Sequence, residues 1–368
     1  MPERPSLVVF LGTQGESPVE EMVAAACRAA ALDSLAAALA SESYKGAVVV
    51  TNDASFEADI PGVIVDGDEG EFHFGRRLSE VIRRYGLESV VYMGGGSVPL
   101  LGAADFAGIA DTLGRRVAVA NNVYSSDLVA FPVSEHVLAV VAGVERDNGL
   151  ARRLFENAGL TVEALPRTHA TQFDIDSPSD LLVLAVTGFG SPRLREYVRS
   201  LSLDVQHYRS VLPFFTDTTA QVVVAGRVGS HSWQYLERET ACRVRLFAEE
   251  RGMEAEARAQ DGAARSLLGF YLEEAGTQRF FETLAELGDA AFLDTRVLLA
   301  HKRIEASRED RFLSDLGRWQ DIRDPFLREF TRGTAEAPLP VLLGGHSLVS
   351  GGLMALNEYA WQEKETRR

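Results

Sequence analysis

Short runs of apolar, β-branched residues alternate with longer amphipathic or alanine-rich stretches through the first half of the chain. Apolar runs bounded by glycine and polar residues predict strands, and the stretches between them predict helices. The predicted strands are residues 7–11, 47–51, 63–65, 90–93, 117–120 and 128–131, and the predicted helices are 18–41, 73–85, 103–113, 144–158 and 178–186. This alternation predicts an α/β domain with a mainly parallel, mixed sheet covered by helices.

The pattern changes after the Gly188-Phe-Gly-Ser-Pro192 segment, where the chain becomes richer in Arg and Glu. Glycine and proline together favour a break, so we expect one domain at 1–188 and a second, of the α+β class, at 189–368. In the second half, helices are predicted at 232–251, 264–274, 278–287, 308–319, 325–331 and 353–361, and strands at 221–225, 291–300 and 341–343.

Charge and composition limit the classes of partner. The 368 residues contain 37 Lys and Arg against 53 Asp and Glu, a net charge of -16, which argues against a nucleic-acid surface. No apolar run approaches the roughly 20 residues of a membrane-spanning helix. Cys27 and Cys242 form no metal or disulfide motif. We therefore expect a cytoplasmic protein that binds a small molecule and no membrane, with assembly into a homo-oligomer left open.

Two glycine-bearing loops follow predicted strands, at residues 12–17 and 94–97. Ligands of open α/β sheets bind outside the carboxyl ends of the strands, where glycine lets a ligand approach the backbone. Simple tight turns need the same glycines, so both interpretations stay open. Two asparagines near the ends of predicted strands join these loops as candidates. The candidate nucleotide-binding residues are Gly12, Thr13, Gln14, Gly15, Asn52, Gly94, Gly95, Gly96, Ser97 and Asn122. We expect the loops at 12–17, 94–97 and 121–127 to converge on one cleft.

Two carboxylates, Asp174 and Asp176, are candidate metal ligands. Alternate residues of an extended segment point to the same side, so the pair could share a hard cation such as magnesium. The alternative is that the segment only starts a helix, since Ser177, Pro178 and Asp180 form a helix N-terminal signal. We assign Asp180 to that capping role.

These motifs together resemble the nucleotidyltransferases of the glycosyltransferase A-type fold. The order is a strand, a glycine-bearing loop, a long helix, a Val-Val-Thr strand, Gly-x-x-Pro-Leu-Leu and then Asp174-Ile-Asp-Ser-Pro-Ser-Asp-Leu181. The resemblance is closest to the molybdenum-cofactor and 2-phospholactate guanylyltransferases and covers the N-terminal half. It implies a Rossmann-like domain whose first loop holds a nucleoside triphosphate and whose acidic residues hold magnesium.

Two positions depart from the family's pattern. The family's first loop carries Leu-Ala-Ala-Gly-x-x-x-Arg and then Lys, whereas residues 11–18 here contain no cation, and the family's central Asp is Ser97 here. The first hypothesis is a magnesium-dependent nucleotidyltransferase acting on a small phosphorylated acceptor. The second is a catalytically lapsed protein that binds a nucleotide or metabolite, or serves in assembly, without turnover.

Cationic and imidazole side chains stand near the ends of predicted strands in the second half. They form a candidate anion-binding set of Arg227, His231, Arg296, His301 and His346. Arginine pairs well with phosphate and carboxylate groups, which favours an anionic ligand. The alternative is solvated ion pairs with acidic residues such as Glu237, Glu239 and Asp294. The histidines show no metal-site spacing, so a metal trio would have to assemble in space.

Overall fold

The structure is a computed structural model and describes residues 4–12, 15, 17–68, 70–114, 117–253 and 257–367. Thr13 and Gln14 of the first loop lie outside the described residues. The strands are β1 (Ser6–Leu11), β2 (Gly46–Thr51), β3 (Val63–Gly67), β4 (Ser89–Gly94), β5 (Ala118–Ala120), β6 (Leu128–Pro132), β7 (Val162–Ala164), β8 (Gln221–Gly226), β9 (Arg243–Ala248), β10 (Ala290–Asp294) and β11 (Val341–Gly344).

The α-helices follow the same chain order. They are α1 (Pro18–Ala40), α2 (Phe74–Arg84), α3 (Ala103–Gly114), α4 (Glu135–Ala142), α5 (Leu150–Ala158), α6 (His169–Gln172), α7 (Pro178–Thr187), α8 (Pro192–Ser200), α9 (Gln206–Phe215), α10 (Ser230–Glu239), α11 (Leu267–Leu287), α12 (Thr295–Lys302), α13 (Arg308–Asp315), α14 (Pro325–Glu336) and α15 (Leu353–Thr366). A π-helical turn, Leu348–Gly352, leads directly into α15.

The N-terminal sheet has seven strands in the order β3-β2-β1-β4-β6-β5-β7. β6 runs antiparallel to both β4 and β5, and the other pairs are parallel. The predicted α/β class with a mainly parallel, mixed sheet is confirmed. Its central strands are buried apolar runs, as expected for strands covered on both faces, and one core cluster joins them to α2, α4 and α5.

A second sheet has four strands in the order β11-β10-β8-β9, and all of its pairs are parallel. The second sheet is therefore of the α/β kind where the sequence predicted an α+β domain. Its core packs the strands against α11 and α14 through a cluster of phenylalanines that includes Phe280, Phe281 and Phe330.

Contacts between Cα atoms divide the chain into two compact units. The first comprises the described residues within Met1–Gln14, Ala24–Thr171 and Gly190–Leu194, and the second those within Gly15–Val23, Gln172–Phe189 and Arg195–Arg368. The segment that carries Asp174 and Asp176 thus belongs to the second unit. The predicted division at residue 188 stays a prediction about domains.

Several helix predictions match the structure closely. Ser177 is the N-cap of α7 with Pro178 in the first turn. The two helices predicted at 264–274 and 278–287 correspond to α11, whose helical geometry is interrupted at Gly276 with φ 76°. α1 is long and apolar enough to cross a membrane by length and composition alone, and 56% of its most apolar window is buried in the protein.

Three predicted elements differ from the structure in type or in bounds. Residues 232–251 form the end of α10 and then β9, because Arg243–Ala248 alternates and pairs with β8. The strand predicted at 291–300 ends at Asp294, which caps α12. The helix predicted at 144–158 starts only at Leu150, and the apolar run before it belongs to α4.

Candidate functional site

The ends of β1 and β4 lie side by side at the carboxyl edge of the seven-stranded sheet. Phe10 of β1 is opposite Gly94 of β4, and the Gly95 N–H donates to the Phe10 carbonyl at 2.9 Å. On its other side β1 pairs with β2, and the chain runs outward from β1 to β3 before it crosses back to β4, so the strand order reverses between β1 and β4. A crevice forms at such a switch point, and ligands of open α/β sheets bind there.

Close packing explains two glycines of the β4 loop. A Cβ on Gly94 would lie 2.8 Å from the Ser97 Oγ, and one on Gly95 would lie 2.5 Å from Leu11 Cδ1. Val98, fully buried, has φ 41°, a conformation that costs a β-branched residue about 1–3 kcal/mol. The packing therefore holds this loop in one tight shape against the end of β1.

The segment at residues 121–127 closes the same edge. The Gly94 N–H donates to the Asp127 carbonyl at 3.4 Å, so this segment lies beside the loop at 94–97. The convergence of the loop at 12–17 with these two stays a prediction, because Thr13, Gln14 and Glu16 lie outside the described residues. Asn121 is structural, because its Oδ1 accepts the N–H groups of Asp127 and Leu128 and its Nδ2 donates to the Thr171 carbonyl and Asp127 Oδ2. Asn122 differs, since its Oδ1 accepts the Tyr124 N–H and its Nδ2 donates no hydrogen bond to the residues that the structure describes.

The end of β2 brings a cation that motif reasoning missed. Asn52 is exposed directly after β2, and Arg28 of α1 lies 3.7 Å from the next carboxylate, Asp53. Hydrogen bonds from Ser55, with the Arg28 charge, hold the pKa of Asp53 below its usual value. The signal was weak because Arg28 lies far along α1 from the first loop and reaches this edge only through the fold.

Asp174 and Asp176 flank buried Ile175 in an extended segment of the second unit. The Asp174 carbonyl accepts a hydrogen bond from Ser347 Oγ at 2.8 Å, and the Asp176 N–H donates to Asp180 Oδ2 at 2.9 Å. Within the described ranges, no group of three or more His, Cys, Asp or Glu side chains is arranged to hold a metal ion. The metal role of the Asp174–Asp176 pair stays a prediction.

Asp180 caps α7 as expected, and it is also a buried acid. Its Oδ2 accepts the N–H of Ser177 at 2.8 Å, while its Oδ1 is buried with no hydrogen-bond partner in the described structure. Burial, with the nearby Asp176 charge, raises the pKa of Asp180 to about 8. Sequence reasoning identified the cap and missed the burial.

Three of the five predicted anion-binding residues gather at the carboxyl edge of the four-stranded sheet. Arg227 follows β8 and makes two bonds to Asp294, at 2.6 and 3.1 Å. Arg296 binds both oxygens of Asp315 at 2.6 Å. Burial and the Arg227 charge lower the pKa of His346 to about 4, so its imidazole is neutral at pH 7. These ion pairs are buried, whereas the alternative prediction was solvated pairs.

The two remaining histidines have other neighbours. His301 lies at the end of α12, where its Nδ1 accepts the Ser266 N–H at 3.1 Å and its ring packs against Phe270. That environment explains His301 as a packed structural residue next to α11. His231 lies in the first turn of α10, with its ring beside Gly229.

A separate cavity of about 300 Å³ opens at the amino ends of β1 to β4, the edge opposite the glycine loops. Its lining includes Lys45, Tyr85 and Glu88 and contains none of the predicted site residues. Neither the motifs nor the strand-end rule indicates a ligand there, so the carboxyl edge remains the candidate site.

No family model and no curated protein matches the chain. Among solved structures it is similar to a cytidylyltransferase from Leptospira borgpetersenii, at 14% identity and TM-score 0.39 over 57% of this chain and 97% of that one. It is similar to Rv0371c from Mycobacterium tuberculosis, at 16% identity and TM-score 0.33 over 49% and 96%. It is also similar to a CMP:2-keto-3-deoxy-manno-octonic acid synthetase complexed with CTP, at 13% identity and TM-score 0.33 over 48% of this chain and 95% of that one. All three TM-scores lie below 0.5.

Proposed function

We propose that the first unit binds a nucleotide at the carboxyl edge of its seven-stranded sheet, as a nucleotidyltransferase-like domain. The observation that carries the proposal is the junction of β1 and β4, where the glycine-bearing loop after β4 packs against the end of β1 at a topological switch point. Ligands of open α/β sheets bind in this position. The sequence resemblance in the same half of the chain supports the same activity.

Glycines and neutral side chains dominate this edge. Gly94, Gly95 and Gly96 keep side chains away from the crevice, and the Asn122 Nδ2 would supply a donor beside them. Arg28 adds positive charge at the end of β2, offset by Asp53. The ligand would therefore be held through close backbone approach and neutral donors rather than through a cluster of cations.

Magnesium enters this proposal with the nucleotide. Mg²⁺ is usually held by one or two protein carboxylates together with phosphate oxygens, so a preformed three-ligand site is not required. Asp127, beside the glycine loop, is the carboxylate that we assign to the metal in the first unit. Bound magnesium would neutralise phosphate charge, and Asp127 would position it.

Transfer of the nucleotidyl group to a phosphorylated acceptor is the catalytic form of the proposal. The second candidate is nucleotide binding without turnover, and it is favoured by Ser97, which stands where the related families have an aspartate. Transfer of this type depends on electrostatic positioning. Pyrophosphate release from each nucleoside triphosphate, measured with magnesium and a panel of phosphorylated acceptors that can take the nucleotidyl group, distinguishes the two forms.

The binding proposal is tested by calorimetric titration of the full chain with CTP, GTP and ATP in the presence of magnesium. Asn122→Asp keeps the oxygen that accepts the Tyr124 N–H and replaces the Nδ2 donor with negative charge, so binding should weaken by more than about tenfold. Asn157→Asp makes the same change at an exposed position of α5 and should leave binding unchanged. Equal affinities for the two variants would contradict the site.

A further inference from the structure

The turn between β8 and α10 lies at a second topological switch point. β8 pairs with β9 on one side and with β10 on the other, and all three run parallel. The turn is tight, because the Cβ that any other residue would have at Gly226, φ 128°, would collide with Asp294. A ligand crevice is expected outside the carboxyl ends of these strands, as at β1 and β4.

The first turn of α10 has no side-chain cap. Gly229 is the N-cap of α10, and no side chain accepts a hydrogen bond from the first backbone N–H groups of the helix. These N–H groups have no acceptor within the helix itself. A Cβ on Gly229 would lie 2.8 Å from His231 Cε1 and 3.7 Å from Arg251 Cζ. An imidazole and a guanidinium therefore lie beside this N-terminus.

A buried hydroxyl gives an independent indication of a ligand. Ser232 is 1% exposed, and its Oγ has no hydrogen-bond partner among the residues that the structure describes. Ser232 is the third residue of α10, and Cα–Cβ bonds in a helix tilt toward its N-terminus. The hydroxyl is thus directed at the first turn of α10. Buried hydroxyls normally have a hydrogen-bond partner, so a ligand at this turn would supply one.

Among the described residues, the charges around the turn leave one arginine without an ion pair. Arg227 is matched by Asp294, and of the two acidic residues before Arg251, Glu250 binds Arg258 while Glu249 binds Ser266 and the Leu267 N–H. Arg251 is exposed and has no ion pair within the described ranges. The helix dipole adds partial positive charge at the same place.

We propose that the β8–α10 turn, residues 226–232, together with Arg251, binds the phosphate group of a small phosphorylated molecule. Consecutive amides at a helix N-terminus and a serine hydroxyl suit a tetrahedral anion, and a guanidinium adds charge-assisted hydrogen bonds. The site lies in the second unit and does not depend on nucleotide binding by the first.

Inorganic phosphate is the probe, and its binding to the full chain is followed by the ³¹P line width at low, constant ionic strength. Ser232→Ala and Arg251→Gln should each weaken phosphate binding by about tenfold, since each removes one hydrogen-bonding group. Gly229→Ala, whose φ of -81° any residue adopts, should weaken it further by forcing the neighbouring side chains to move. Arg199→Gln, at an exposed arginine of α8, is the matched control and should leave affinity unchanged.

Circular dichroism and melting temperature show whether each variant is folded, and Ser232→Ala carries the test if Gly229→Ala does not fold. Failure of the unaltered protein to bind phosphate at up to about 10 mM would overturn the proposal, since that is weaker than useful recognition. Equal losses in Arg199→Gln and Arg251→Gln would overturn it as well. So would loss in Asn122→Asp with none in Ser232→Ala, because the phosphate would then be bound by the first unit.

Discussion

The carboxyl edge of the seven-stranded sheet presents a tightly packed glycine loop, whereas that of the four-stranded sheet presents arginines paired with buried aspartates. Gly95 packs against the end of β1 and Gly94 against Ser97, and neither has room for a side chain. The side chains of Asp294 and Asp315 are 0% exposed. Both edges are switch points of parallel strands. The same topology can therefore position either backbone or side-chain chemistry, depending on the residues that end its strands.

The difference suggests a division of roles. A glycine-lined edge lets an extended ligand lie along the backbone, which suits a nucleotide. An edge with paired arginines is preorganised, because each guanidinium is fixed by two hydrogen bonds before a ligand arrives. In the second unit the ion pairs thus hold the carboxyl edge of the sheet in place, and we assign Arg251 to binding the anion.

The largest expected effect concerns the buried ion pair. Asp294→Ala leaves Arg227 buried without its partner and removes the cap of α12, so the free energy of unfolding should fall by about 3–5 kcal/mol. Asp53→Ala breaks the more exposed pair with Arg28 and should cost about 1 kcal/mol or less. Urea unfolding followed by circular dichroism compares the two, and similar losses would remove the contrast between the edges.

A second comparison is made inside the glycine edge. Gly95→Ala places a methyl group against the buried Leu11 side chain and should destabilise the protein by about 1–3 kcal/mol through overpacking. A Cβ on Gly12 would have no described atom within 4 Å, so Gly12→Ala should leave the melting temperature nearly unchanged. A stable Gly95→Ala protein with undiminished nucleotide binding would show that the two loops do not need their close contact.

Sensitivity to pH should reside in the second unit. The pKa of Asp180 is about 8 in the folded protein and about 3.9 in an unfolded chain, so the folded state binds more protons between these values. Stability contributed by protonated Asp180 therefore falls as pH rises from about 4 to about 8, by at most about 1.4 kcal/mol per pH unit. Asp180→Asn should flatten the dependence of unfolding free energy on pH. An unchanged slope would contradict a buried neutral acid.

The smallest effect is expected at Ser97. Ser97→Asp adds a carboxylate to the β4 loop where the families that the sequence resembles have one, and magnesium-linked CTP binding should tighten about threefold, or roughly 0.7 kcal/mol. Without magnesium the same change should weaken CTP binding, because the new carboxylate then repels the phosphate groups of the nucleotide. Calorimetry with and without magnesium measures both. Brisk pyrophosphate release by the unaltered protein would show that Asp127 or another carboxylate already fills the role.

Local signals accounted for much of the first unit. The apolar runs at 7–11 and 90–93 predict buried strands, and strand ends predict where the loops meet. The Asp294–Arg227 pair joins residues 67 positions apart and exists only once β8 and β10 are in register. No local pattern contains that information.

The prediction of helix or strand was wrong where a helical periodicity and a strand periodicity overlapped in the sequence. Trp233, Leu236, Thr240 and Val244 recur at helical spacing, yet the alternating residues of β9 complete a parallel sheet, and pairing with β8 decides the outcome. At 291–300 the apolar run continues across a boundary marked only by Asp294, a helix cap inside hydrophobic sequence. Treating Asp294 as a helix N-cap at the end of the strand would have located both the start of α12 and the buried aspartate.

The central claim, that nucleotide binds at the edge formed by β1 and β4, is tested most directly by hydrogen–deuterium exchange with and without CTP and magnesium. We expect protection of the amides at 94–97 and 121–127 on nucleotide binding, with exchange at 226–232 and 344–347 unchanged. Protection confined to 226–232 and 344–347, or absent at 94–97, would contradict the account.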